Sequence, residues 1–386
     1  MKLITQTDDL NTAIAILRQS QFVTVDTEFI RETTFWPELC LIQISSDELS
    51  VLIDPLSENI DLSSFFTLIS DTQVVKVFHS ARQDIEIIYK MAGLIPTPLF
   101  DTQIAAAICG YGETISYDQI VNRITGDTID KTSRFTDWSA RPLSENQLSY
   151  ALADVTYLRQ VYRVLNEELE KKGRSDWLNE EMSVLKTPKT YDLPEDEAWK
   201  KVKGRLRKSR ELAVLQKIAA WREREAKMRN IPRGRVLKDE ALIEIATQQP
   251  KDEASLAKLR TITKGWERSS SAHSLLEAVN EGMLTDTAQL PQIIKHVPLS
   301  ESVAAAIDLL RVLLKIIAEE NKIAARIIAT SDDIEKIAKH QKYSTISAMQ
   351  GWRYEMFGKK AEDMLAGRIG FYFDDGKIAL KHFNNE

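Results

Sequence analysis

Asp26 and Glu28 stand two residues apart in the apolar run FVTVDTEF, Asp84 lies in HSARQD, and Tyr150 and Asp154 stand four apart in YALAD. Side chains on a strand alternate faces, so Asp26 and Glu28 share one face while Thr27 takes the other. On a helix, residues four apart stack on one side, which gives Tyr150 and Asp154 a common face. A carboxylate in an apolar element needs a partner, because burying an unpaired charge is costly. Hard divalent cations such as Mg²⁺ or Mn²⁺ take oxygen ligands, and two of them about 4 Å apart can stabilise both the attacking and the leaving oxygen of a phosphoryl displacement. The four acids are therefore the expected ligands of two divalent metal ions. Asp26 would bridge, Glu28 and Asp154 would complete one site, and Asp84 would support the other. Tyr150, one turn before Asp154, would hydrogen-bond the attacking water. The expected chemistry is phosphodiester hydrolysis.

Other polar residues compete for roles. His79 is the one histidine before residue 273, so a histidine base would have to be this residue. Its place at the end of VVKVF favours packing or a backbone hydrogen bond, with a substrate contact second and general base third. Asp54 and Asp101 sit at element boundaries before Pro and Thr, where turns and caps are the default, and both are left out of the catalytic set. The two cysteines, Cys40 and Cys109, lie in apolar runs without metal-ligand spacing and read as buried thiols.

The elements that must position these residues follow from periodicity. KLIT reads as a strand and Asp8–Gln19 as a helix, followed by strands at FVTVDTEF, LCLIQIS and SVLID, spaced for an antiparallel meander. Helices are expected near Leu62–Ile69 and over Ala81–Met91, the latter stopped by Gly93, with VVKVF a strand between them. Thereafter the pattern is helical: Thr102–Cys109, Tyr117–Ile124 and a long helix from Ser144 to about Lys172, whose SENQ start has capping-box spacing. Strands first and helices afterwards predict an α/β domain with a mixed sheet flanked by helices.

Residues 185–204 hold two prolines and a block of charge without apolar periodicity, which reads as a linker. Strand signals then almost vanish. Trp221–Ala246 aligns without gaps onto Leu313–Ala338, and Gly-Trp recurs at 265–266 and 351–352, so two all-α bundles are expected, joined through Met283–Ser300. The predicted division is a catalytic domain over 1–184, the linker 185–204, and helical domains over 205–290 and 300–380.

Charge separates these parts. Residues 1–199 carry a net −15, residues 200–238 a net +12, and residues 239–386 a net −3. A basic stretch on an otherwise acidic chain is a plausible footprint for a polyanion, although a charge run is often only a solvated helix face. At 386 residues the chain exceeds one ordinary core. No run reaches the roughly 18 apolar residues of a membrane span, and the N-terminus lacks a secretory signal core, so a cytoplasmic protein is expected, with no membrane contact and no obligate protein partner evident.

VDTEF, VFHSARQDIEIIY and YALADVTYL resemble the three exonuclease motifs of the DEDD superfamily. Tyr150 four residues before Asp154 matches the tyrosine branch; the histidine branch would want His where this chain has Ser149. ETTFWPELCLIQIS, FDTQIAAAICGYG and TDWSARPLSENQLSYALADV are closely similar to the bacterial ribonuclease D family, in which the nuclease domain is followed by HRDC domains. The resemblance implies a ribonuclease H-like fold and two divalent metals held by Asp26, Glu28, Asp84 and Asp154, with Tyr150 orienting water. It also implies 3′→5′ hydrolysis of RNA to nucleoside 5′-monophosphates, with trimming of tRNA precursors as the associated role. A proofreading-type DNA exonuclease and an RNA-binding adaptor with a dead nuclease domain are the rival expectations.

Overall fold

A computed structural model describes residues 2–292 and 298–383. The N-terminal part is built on a six-stranded mixed sheet. Its strands are β1 (Lys2–Ile4), β2 (Phe22–Ile30), β3 (Glu38–Ser45), β4 (Ser50–Ile53), β5 (Val75–Phe78) and β6 (Leu99–Asp101), in the spatial order β1-β4-β3-β2-β5-β6. The β2-β3-β4 meander is antiparallel, as expected, while β1, β5 and β6 join in parallel. The sequence reading passes over β6, which has only three residues and is buried throughout, so it shows no alternation.

Helices α1 (Thr7–Leu17), α2 (Ser63–Ser70), α3 (Arg82–Ala92), α4 (Thr102–Cys109) and α5 (Tyr117–Thr125) fall close to the expected ranges. Gly93 ends α3 in the left-handed conformation that glycine adopts without strain. The long helix α6 (Glu145–Lys171) begins at Ser144 with both halves of a capping box, and it crosses the sheet over β2, β3 and β4. Helix α7 (Ser175–Glu181) follows. The core between sheet and helices is continuous from Ile4 to Tyr191.

The stretch 185–204 is itself folded. It holds short 3₁₀ turns at Pro188–Thr190 and Glu195–Lys201, with Tyr191 buried in the first core and Ala198 in the second. The second core lies among the helices Ser209–Met228, Asp239–Gln248 and Ser270–Leu284. A third surrounds the helix Glu301–Asn321. The helix starts Ser209, Arg233 and Asp239 recur at Glu301, Ala325 and Ser331, a constant shift that matches the sequence alignment. Residues 293–297 of the joining segment lie outside the described residues. The last bundle departs from the all-helical expectation. After the helix Lys359–Leu365 it ends in an antiparallel hairpin, β7 (Ile369–Asp374) and β8 (Lys377–His382), whose Phe371 and Leu380 pack on the third core. Asp375-Gly376 supplies its two-residue turn, a signal obscured by the helical repeat around it.

Both bundles are fastened to the sheet domain, at different places. The β2–β3 loop pushes Phe35, 4% exposed, into the second core, where the Arg233 guanidinium lies 4.4 Å from its ring centroid. On the other side, Trp177 of α7 stacks on Trp352 at 4.0 Å, and Arg353 ion-pairs with Glu180 and Glu181. The backbone N–H of Ala324 donates to the Ala107 carbonyl at 2.9 Å. A β-carbon on Gly110 would lie 2.4 Å from the Lys322 carbonyl oxygen, and its φ of +95° already disfavours any other residue. Among the described residues no helix is long and apolar enough to cross a membrane.

Candidate active site

Strand β2 runs on past β5, which pairs with it only from Phe22 to Thr24. The edge of β2 beside Asp26–Glu28 is therefore free to receive side chains. A register shift between Glu28 and Phe29 against β3 marks a bulge, the usual device for re-aiming side chains beside a site. Thr24 donates its hydroxyl to the Val155 carbonyl of α6 at 2.7 Å. That bond joins strand and helix beside the two acids, Asp26 lying two residues beyond Thr24 and Asp154 one residue before Val155.

Asp26, Glu28 and Asp154 consequently converge, each offering an oxygen within 4.8 Å of the others. Asp84 reaches the same cleft differently. It sits in the first turn of α3, is buried, and accepts a hydrogen bond from the Thr27 hydroxyl at 2.6 Å, so it approaches from the open edge of β2 and stands outside the three-oxygen group. Tyr150 hydrogen-bonds the Asp154 carboxylate, and its ring lies 6.1 Å from that of Trp138. All five residues line one cleft of about 660 Å³.

The electrostatics follow from crowding. Burial and the neighbouring Asp154 push the Asp26 carboxyl well above the usual carboxylate range. Burial, then Asp26, Asp154 and Asp84, push Glu28 up to about 10. Burial raises Asp154 to about 7, against the pull of the Tyr150 hydrogen bond and of Arg134. Burial and the acids likewise raise Tyr150, which keeps its phenol proton. This donor set fits hard divalent ions, since crowded acids that repel one another are relieved by a multiply charged, oxygen-seeking cation. Gln43 lies next to the acids on the sheet. It pairs with Asp26 across β2–β3, is fully buried, and its amide finds no partner among the described residues.

The remaining candidates are structural. His79 contacts the Thr102 hydroxyl through Nδ1 at 2.9 Å and the Ile115 carbonyl through Nε2 at 3.1 Å. Burial holds its pKa below the ordinary value, and Nε2 donates to the Ile115 carbonyl while the Thr102 hydroxyl donates to the Phe78 carbonyl at 3.0 Å. Asp101 caps α4 and also accepts from the N–H groups of Ser80 and Ala81, at 3.1 and 2.9 Å, which fixes the turn into α3. Asp54 takes both arms of Arg141 at 2.7 Å. Burial alone would raise it, but those bonds hold it below its usual value. Cys40 and Cys109 are buried free thiols.

Arg134 and Phe135 escape the sequence reading. They stand on the loop 126–143, which Arg141 anchors at one end and which the Gln147 amide holds by donating to Thr136 Oγ1 at 3.1 Å. Phe135 is 89% exposed within the cleft, with the Arg134 guanidinium 5.2 Å from its ring. A loop aromatic carries no periodicity. The only available signal was its place between a basic residue and the TDW run.

A central strand presenting an Asp-x-Glu pair to a helix that bears Tyr and Asp, with a further Asp entering at the strand edge, defines a 3′–5′ exonuclease domain of the DEDD type. A family profile described as 3'-5' exonuclease matches residues 1–170, and the HRDC domain profile matches residues 211–279. Ribonuclease D of Bartonella henselae is 64% identical over 381 residues, covering 99% of this chain and 94% of that protein. Ribonuclease D of Nitrobacter hamburgensis is 48% identical over 378 residues, 98% of each. The crystal structure of Escherichia coli RNase D, described as an exoribonuclease involved in structured RNA processing, matches with a TM-score of 0.82 at 29% identity, over 95% of this chain and 98% of that one. The chain belongs to the ribonuclease D family. It is a hydrolytic 3′–5′ exoribonuclease whose nuclease domain is followed by an HRDC domain.

Proposed function

We propose that this exoribonuclease depends on two divalent metal ions, Mg²⁺ or Mn²⁺, held by Asp26, Glu28, Asp84 and Asp154, and that it trims the 3′ ends of tRNA precursors in the cytoplasm. The observation that carries the reading is the convergence of three carboxylates within 4.8 Å in one cleft. When bound, the ions supply positive charge at the phosphate and a more acidic water. Tyr150, kept neutral, positions that water and holds Asp154 in place. The water would give up a proton as its oxygen bonds to phosphorus, the bond to the 3′ oxygen would break with that oxygen taking a proton from solvent, and the phosphate stays on the leaving residue, so the product is a nucleoside 5′-monophosphate. Catalysis belongs to residues 1–184, and 205–290 and 300–380, the latter read as a second HRDC-like copy, hold the RNA body.

Digestion of a 3′-end-labelled tRNA precursor tests this directly. Release of the terminal label as a nucleoside 5′-monophosphate is expected with Mg²⁺ or Mn²⁺, and its arrest with chelator. Undiminished release in chelator, or 3′-monophosphate products, would refute the metal site.

A further inference from the structure

A second cavity, of about 350 Å³, opens where the sheet domain, the 185–204 stretch and the first helical bundle meet. It borders the acid cleft, because Arg31 and Gln83 line both. Arg31 lies three residues beyond Glu28, about 10 Å along an extended chain, and Gln83 directly precedes Asp84. The two spaces are neighbours along one path.

Their linings are opposite in sign. Five cations face the junction cavity, Arg31, Arg82, Lys201, Lys227 and Arg233, against three acids, Glu86, Asp192 and Glu223. Each acid is already committed. Glu86 takes Arg31 through two bonds of 2.8 Å, Asp192 takes Lys227 at 2.8 Å, and Glu223 takes Arg233 at 2.5 Å. Arg82 and Lys201 remain as exposed cations turned toward the same space. Burial, with Arg233 and Arg82 close by, draws the Lys201 ammonium below its ordinary pKa. Three elements distant in sequence thus bring excess positive charge together.

We propose that this cavity binds a backbone phosphate of the substrate RNA, upstream of the bond being cut, with Arg82 and Lys201 as its principal contacts. The lining favours phosphate over base. Trp36, the aromatic best placed to stack, is already engaged by Lys90 at 4.5 Å, Lys227 at 5.9 Å and Phe35 at 4.8 Å. A site that reads phosphate carries no sequence information. That suits an enzyme whose substrate advances one nucleotide per cycle and presents every base in turn. Its size is near the lower end for small-ligand pockets, enough for a phosphate and its sugar.

The proposal rests on the RNA-hydrolase reading, and the experiment separates the two. Full-length Arg82→Gln, Lys201→Gln and the double variant are compared with wild type on single-stranded RNAs of two to eight nucleotides. Turnover is followed with Mn²⁺, and binding by anisotropy of labelled RNA in chelator. Both residues are exposed, and thermal melts confirm that each variant folds. In wild type, affinity should step up at one chain length, where the strand first spans the cavity. The double variant should lose that step, with KM for longer RNAs raised about tenfold and kcat little changed. Removing one cation that meets the phosphate should lower the slope of log affinity against log salt by about 0.7. An affinity that instead rises evenly with every nucleotide, or an equal weakening at all lengths in the variants, would overturn the site. So would retention of the step in the double variant. Competition by inorganic phosphate and by a nucleoside 5′-monophosphate forms a separate arm. If either binds in the cavity while no length step exists, the ligand is a free product and not the strand. A wild type that shows the step yet releases no nucleotide would refute the hydrolase reading and leave this site standing.

Discussion

The acid cleft and the junction cavity share two lining residues and little else. The cleft is built from one sheet and two helices of a single domain, its acids are crowded beyond what burial alone tolerates, and a cation relieves them. The junction is assembled from three separated parts of the chain, its acids are satisfied, and an anion relieves it. Chemistry is thus fixed by short-range geometry within one core, whereas the grip on substrate depends on how the parts dock. Damage to each should therefore look different.

The largest effect should come from removing ligand charge in the cleft. Asp26→Asn or Asp154→Asn keeps the side-chain shape, so kcat should fall by roughly three orders of magnitude or more, on the scale of forfeited transition-state stabilisation, while RNA binding in chelator persists. Near-normal turnover in either variant would break the contrast. Tyr150→Phe should follow, with turnover lowered roughly 100-fold and metal binding retained, as for removal of a positioned hydrogen-bonding group. A greater drop in His79→Ala would transfer the water-orienting role to the histidine.

Acidity should act on the cleft with a defined sign. Asp154 titrates at about 7 in the folded chain against an ordinary 3.8, so folding favours its protonated form. Without metal, stability from this group is full below about pH 4 and is lost as pH rises through about 7. The ion-free melting temperature should thus fall between about pH 5 and 8 in wild type and fall less in Asp154→Asn. Mn²⁺ affinity, which requires the proton to leave, should tighten over the same range by about tenfold per pH unit for each proton displaced. Calorimetric titration at three pH values measures this, and a pH-independent affinity would argue that the acids are already ionised.

The smallest effect on catalysis should come from the junction. Phe35→Ala removes a buried ring from the second core, at a cost of about 3–5 kcal/mol. Longer RNAs should bind several-fold more weakly, while dinucleotide cleavage changes less. An equal effect on both would mean that the loop transmits its disturbance to β2.

How far this could be read in the sequence follows the same division. Asp26 and Glu28 on one face, Tyr150 beside Asp154 and the capping box at Ser144 are local regularities, fixed by strand and helix periods, and the structure keeps them. Asp84 was readable as an acid but not as one that enters from the strand edge onto Thr27, because that depends on where β5 stops. Arg134, Phe135 and the docking of Phe35 and Trp36 depend on loops and on parts brought together from far along the chain, for which no period exists. The hairpin β7–β8 was hidden by its neighbours, whose helical repeat overrode a turn and two alternating runs. Asp101, left out of the catalytic set, turned out to hold the turn into α3 and the start of α4 at once.

The approach of Gly110 to Lys322 has a consequence for heredity. A single methyl group gained in the nuclease domain would collide with the backbone of the last bundle, and no change of side chain at Lys322 can relieve a clash with a carbonyl oxygen. The two segments, separated by the whole first bundle, therefore constrain each other sterically. A bundle shuffled in from another gene would have to bring a turn that leaves room for that glycine.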